Sequence, residues 1–182
     1  KTDPDFGKLR EPVQFLTNVF RTFKVSSADG LQQSDGAVQN LPTSMAQNPF
    51  NSPTVFNYYS PDYVIPGTAL NGPEFGLMTT GTSIARANFV NTMVFSKINT
   101  SENSPLGTSL NFAELQALST ADATGNQLLD ALNSQMMHGT MSAAMRAKIL
   151  PAVLAINASS PLSRAQAAVY LVATSSQYQI QR

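Results

Sequence analysis

The chain has 182 residues, 42% hydrophobic and only 12% charged, with eleven basic and eleven acidic groups. That length suits a single domain whose core needs no metal or disulfide, and balanced charge argues against nucleic acid, whose phosphates call for a surplus of Lys and Arg on one face. No apolar run approaches the ~20 residues of a membrane helix; the lack of cysteine removes disulfides, thiolate metal sites and a cysteine nucleophile, and a lone histidine removes multi-histidine metal sites.

Residues 9 to 25 read as an amphipathic helix: Leu9, Val13, Leu16, Phe20 and Phe23 share one face, and Arg10, Gln14, Thr17, Arg21 and Lys24 line the other. Pro12 fits only a first turn, so the helix starts near Arg10 or Glu11. From 26 to 72 regularity is lost among five prolines, with a short helix around Gly36 to Gln47 interrupted by Pro42. A structureless stretch this long is unusual inside a domain. Its aromatic residues (Phe50, Phe56, Tyr58, Tyr59, Tyr63) predict an ordered loop packed on the helices.

A second helix is expected from Pro73 to Ser96, largely buried, with Gly76 and Gly81 marking close approach of a neighbour. Residues 97 to 110 read as an exposed connection. Short helices follow over 110–118, with Asn111 as cap, and over 124–138, stopped by Gly139. Two more cover 141–157, capped by Thr140 and kinked at Pro151, and a stretch opened by Ser160-Pro161 with Leu162, Ala165, Val169 and Val172 in a stripe. Nothing alternates with period two long enough for a strand. The expectation is an all-α domain over 1–182: an irregular bundle of five to six helices carrying a long Pro- and aromatic-rich loop.

Few constellations carry chemistry. Asp130, Ser134 and His138 fall on one helix face, but serine is the middle residue and the ends are ~12 Å apart, so no catalytic triad forms. A carboxylate pair for glycoside hydrolysis points to Glu74 and Asp62, which border the loop. Each has a simpler role, as a first-turn helix acid and a turn residue. Asp122 to Asn126 lacks the acids of a calcium loop and reads as a helix cap. Met136, Met137, Met141 and Met145 read as core filler, and Asn99-Thr100-Ser101 and Asn157-Ala158-Ser159 match the N-glycosylation pattern. The segment from Ser52 to Tyr63 combines stiff prolines with four rings, and Phe56, Tyr58, Tyr59 and Tyr63 are the candidate binding residues, for a glycan or a protein. No cofactor or metal is expected.

This loop, continued to Pro66-Gly67, resembles the S-P-S-V-F-N-F-F-x-P-x-Y-x-P-P-G signature of the bacterial family called domain of unknown function 1800. Lys8-Leu9-Arg10-Glu11-Pro12-Val13 resembles its K-L-R-E-P-V helix start. Gly72-Pro73-Glu74-Phe75 resembles its A-P-E-F-Q element, with Gly76 where glutamine is common. The ending Ser175-Ser176-Gln177-Tyr178-Gln179-Ile180-Gln181-Arg182 resembles its S-P-E-Y-Q-x-Q-R, with Ser176 in place of proline. The similarity spans nearly the whole chain but only the C-terminal part of a typical member. It implies a fragment of a secreted or envelope-associated bacterial protein, often encoded beside a sulfatase-like partner, with no established reaction or catalytic residues.

A composition in which Ser, Thr, Asn and Gln make up about a third of the chain suits an extracytoplasmic location (periplasmic, secreted or cell surface). The start at Lys1 rather than at a methionine reads as a removed leader or, preferably, as a fragment of a longer protein. The expected role is a scaffold or binding module whose partners are the rest of its parent chain, an envelope protein or a glycan. The alternative is a secreted polysaccharide hydrolase using Glu74 and Asp62. A scaffold places Glu74 at a helix start facing water with the tyrosines turned inward.

Overall fold

The residue before a proline is pushed out of the helical region, and that constraint sets the N-terminal architecture. Glu11 is extended (φ −59°, ψ 153°), so the first helix, α1 (Pro12–Phe23), begins at the proline itself. Leu9 and Arg10 stay outside it. Lys8–Leu9 forms a short strand, β1, antiparallel to β2 (Ile180–Gln181), and the Arg10 N–H donates to Gln179 O at 2.8 Å. The computed structural model describes residues 6–36 and 41–181.

Between these strands lie α2 (Thr80–Phe95), α3 (Ala113–Ala121), α4 (Asn126–Gln135), α5 (Ala143–Leu154), α6 (Pro161–Ala173) and α7 (Ser176–Gln179), with 3-10 turns at Pro42–Met45 and Pro73–Leu77. The all-α expectation holds, with seven helices among the described residues rather than five or six. Two paired residues per strand are too few for any period to register. No helix of the described residues is long and apolar enough to cross a membrane.

α6 is the hub and packs against α2, α3, α4 and α5. Its inner stripe is mostly small (Ala165, Ala168, Val169, Val172, Ala173), which lets four neighbours approach, while Leu162 points outward. α1 closes the other side through Phe15, Leu16, Val19, Phe20 and Phe23. Phe15 and Phe20 meet Phe89 of α2 with ring centroids 5.9 and 5.8 Å apart, and Phe15 meets Tyr178 of α7 at 5.8 Å. Phe15 and Val19 belong to the buried face. Val13 is only half-buried, and Arg10, expected on the polar face, is buried.

Several boundaries move for local reasons. The helix expected from Pro73 to Ser96 is broken at Met78 and Thr79, because Thr79 and Thr82 form a reciprocal capping box that starts α2 afresh. α2 buries one face rather than most of its surface, leaving Ile84 and Phe95 exposed. Ser142 replaces Thr140 as the cap of α5: its hydroxyl accepts from the Met145 N–H, and α5 runs through Pro151 to Leu154. The connection over 97–110 is not simply exposed. Ile98 and Ser26 bridge to Thr108 and Ser109, and Ser104, Gly107 and Thr108 are buried. Gly107 has φ +66°, and a Cβ there would lie 2.5 Å from Ile98 O. Of the helix expected over 36–47, residues 37–40 lie outside the described residues, and the rest forms only the 3-10 turn Pro42–Met45.

Phe15 has no exposed surface and meets two rings, so Phe15→Ala should cost about 3–5 kcal/mol in chemical denaturation. Ile84→Ala, on the exposed face of α2, should stay within ~0.5 kcal/mol. Similar losses for the two would contradict this core.

Candidate functional site

The segment Lys8-Leu9-Arg10-Glu11 lies between the helical core and the aromatic loop and touches both. On the core side Leu9 is buried, and the Arg10 guanidinium donates to Tyr178 O at 2.6 Å while stacking 4.3 Å above the Tyr178 ring. Arg86 of α2, 2% exposed, reaches the same place: it donates to Arg10 O at 2.9 Å and to Gln179 Oε1 at 2.7 Å. Burial lowers the Arg86 guanidinium to about 10. No carboxylate among the described residues pairs with either arginine. Arg10 Nε, Arg86 Nε and the Tyr178 hydroxyl are buried without a hydrogen-bond partner.

On the loop side, Lys8 pairs with Glu74 at 2.8 Å, a bond that raises the ammonium above its ordinary value. Glu11 accepts from the Tyr59 hydroxyl at 2.9 Å and from Gln47 Nε2 at 2.6 Å. Gln47 Oε1 in turn accepts from the Val13 N–H at 2.8 Å, so a side chain from the loop satisfies one of the free donors at the start of α1. Gly76 lets the loop come close, since a Cβ there would sit 3.2 Å from Tyr59 Cβ. The Tyr58 hydroxyl donates to Asn48 O, and Tyr63 O accepts from the Gly72 N–H.

The loop is thus two-sided. Tyr58, Tyr59 and Tyr63 are half-buried anchors, whereas Phe50, Val55 and Phe56 face solvent, Phe50 fully (104%) and Val55 nearly so (94%). Of the rings expected to pack on the helices, Tyr59 docks on Glu11 at the start of α1, Tyr58 is tied to Asn48 within the loop, and Phe50 and Phe56 turn outward. Phe50 also has φ +65°, a conformation that is an outlier for a bulky side chain. Sequence reasoning missed Phe50 and Val55, because composition marks a loop as aromatic without saying which ring turns outward. It also missed Lys8 and Glu11, whose partners are far away in the chain.

The remaining candidates fall apart. Glu74 does not face water: it is 8% exposed and bound to Lys8, because the extended residue before Arg10 brings an ammonium beside it. Asp62 is exposed. Asp130 pairs with Arg146 at 2.7 Å, and Ser134 and His138 lie exposed. Asp122 is a cap, as expected: its carboxylate accepts from the N–H groups of Thr124 and Gln127. Met136, Met137 and Met145 are buried in the core.

Desolvation, and then the bond to Glu11, push the Tyr59 phenol from 10.0 up to about 12. An acid whose folded pKa is raised contributes stability that is full below pH 10 and lost as pH climbs through 12, since the unfolded chain sheds that proton first. Tyr59→Phe should therefore flatten part of the stability loss between pH 10 and 12. It should also remove one late step from an ultraviolet phenolate titration. An unchanged profile would show that Tyr59 is not docked on Glu11.

Comparison with curated proteins and with solved structures returned no match. The family described as "Protein of unknown function (DUF1800)" matches residues 1–180, a span that takes in Lys8 to Glu11, the aromatic loop and the first residue of the closing strand. The chain belongs to the DUF1800 family.

Proposed function

We propose that this chain is a non-catalytic binding module that presents the outer face of its aromatic loop to a partner. The observation that carries the reading is Phe50: fully exposed, in a strained backbone conformation, on a loop whose other side is bolted to the core. Strain of this kind costs about 1–3 kcal/mol and persists where the surroundings enforce it. Nothing in the packing of the core uses the Phe50 ring. Residues 48–73 include a single charge, Asp62, so the surface suits an uncharged partner. Exposed rings beside the amides and hydroxyls of Asn51, Ser52, Thr54 and Asn57 could stack on sugar faces or fill apolar pockets of a protein.

The setting we favour is extracytoplasmic, in a bacterial secreted or envelope protein, with the partner being another part of the parent chain, an envelope protein or a glycan. The polar, low-charge composition supports it. The hydrolase alternative ranks lower: Glu74 is buried and spends its carboxylate on Lys8, while Asp62 is exposed.

The double substitution Phe50→Ser, Phe56→Ser removes only exposed rings, so stability should change by no more than ~0.5 kcal/mol per site. Affinity electrophoresis in gels containing neutral polysaccharide and co-sedimentation with purified envelope fragments would read binding. The expected result is retention of the wild-type chain in one of them and release of the variant. Wild type and variant behaving alike in both would contradict the reading.

A further inference from the structure

The other end of α1 carries a second site, ~18 Å along the helix axis from the loop dock. A surface depression of about 440 Å³ is lined there by Phe20, Arg21, Lys24 and Val25, and by Ser26, Gln32, Gln33 and Ser34. Its lining holds two cations and no acid. Most cations of the described residues are committed: Lys8 and Arg146 to carboxylates, Arg10, Arg86, Lys97 and Arg164 to carbonyl oxygens. Arg21, Lys24 and Lys148 have no such partner, and two of those three meet at this depression.

Basic residues in a last helical turn are ordinarily explained by the free carbonyls there. Here two of the four, Phe20 O and Arg21 O, already accept from backbone N–H groups. The Val25 N–H donates to Phe20 O and the Lys24 N–H to Arg21 O, both at 3.4 Å, and neither bond uses the Arg21 or Lys24 side chain. Lys24 is the residue that makes this turn, at φ +45°, where glycine is the usual occupant and a side chain is disfavoured. A lysine thus stands at a turn that glycine would make with less strain.

The walls are held in place. Ser26 bridges to both Gln33 and Ser109, the Gln32 N–H donates to Ser27 Oγ, and Ser34 and Thr108 share a 2.5 Å hydrogen bond between hydroxyls. The neighbouring acids are turned elsewhere: Asp29 accepts from Ser27 and the Leu31 N–H, and Asp35 from Ser104 and the Leu106 N–H. The depression thus offers two cations for an oxyanion, amides and hydroxyls for polar groups, and Phe20 and Val25 for an apolar face. The depression is broad and open to solvent, with room for a small ligand lying on its surface.

We infer that the depression at the end of α1 binds a small hydroxylated anion, a sugar acid or a sugar phosphate, through Arg21 and Lys24. The reading is independent of the loop face and fails separately from it. The test is a titration of the 182-residue chain with glucuronate, glucose 6-phosphate, glucose and inorganic phosphate, read from the amide resonances of Ser26, Gln33 and Ser34. At least one sugar anion should saturate, weakened by added salt, and which one does assigns the carboxylate or the phosphoryl source. Arg21→Gln and Lys24→Gly should each weaken binding by at least ~5-fold. Lys24→Gly should do so with no fall in melting temperature, a separation that a purely structural lysine would not give. The inference is overturned if no anion moves these resonances or glucose binds as tightly as its charged relatives. It is equally overturned if inorganic phosphate alone matches the best sugar anion, as an adventitious ion would, or if both variants bind like wild type.

Discussion

Arg86 takes a charge into the interior of a helical bundle, and Arg10 and Gln179, far apart in the chain, close around it. Its two terminal nitrogens hold the Arg10 carbonyl and the Gln179 side chain, so α2, the segment before α1 and the last residue of α7 meet at one guanidinium. Burying an unpaired charge costs several kcal/mol. Hydrogen bonds from a charged donor return about 1.5–3 kcal/mol each, and the Phe15 ring, 5.3 Å from Arg86 Cζ, adds a cation–π contact. Such a residue is tolerable only while its partners stay in place. The two-residue strand pair beside it would be negligible alone; around Arg86 it becomes part of a clasp.

The clasp matters for function because its outer surface is the dock of the loop. Arg10 faces the core, while its neighbours Lys8 and Glu11 face Glu74, Tyr59 and Gln47. Anything that fixes the Arg10 carbonyl therefore fixes the anchors of residues 47–76. A loop tied down along one side can hold Phe50 and Phe56 in water at a defined position, where a free loop would collapse onto them. The same helix that starts at this dock ends at the cationic depression, so α1 sets the separation of the two surfaces.

The helical core was readable because its signals are local. Proline at the start of α1 and α6, and the stripes of α1 and α6, lie within a few turns of each other. The break at Thr79 was missed because a Thr-Thr capping box looks like any polar pair inside an apolar run. Ser142 was passed over for Thr140 on similar grounds. The site was harder to read. Glu74 reads as a first-turn acid unless Lys8, 66 positions earlier, is known to reach it. Arg10 fits the polar face of a helix unless Pro12 is allowed to push the preceding residues into an extended path. The outward turn of Phe50 depends on a backbone angle that no residue pattern encodes. Resemblance to the family marks Lys8 to Val13, Ser52 to Gly67 and a C-terminal stretch ending at Arg182, without saying which of them touch.

The dependence of the loop on the clasp is best tested by amide hydrogen exchange on Arg86→Lys. Lysine keeps the charge but cannot hold two acceptors with one rigid fork. The Arg10 amide, bonded to Gln179 O, and the Ile65 and Gly72 amides, bonded within the loop, should lose protection together, while interior amides of α6 keep theirs. Loss at Arg10 with Ile65 and Gly72 unchanged would contradict the account, because the loop would then be standing without the clasp.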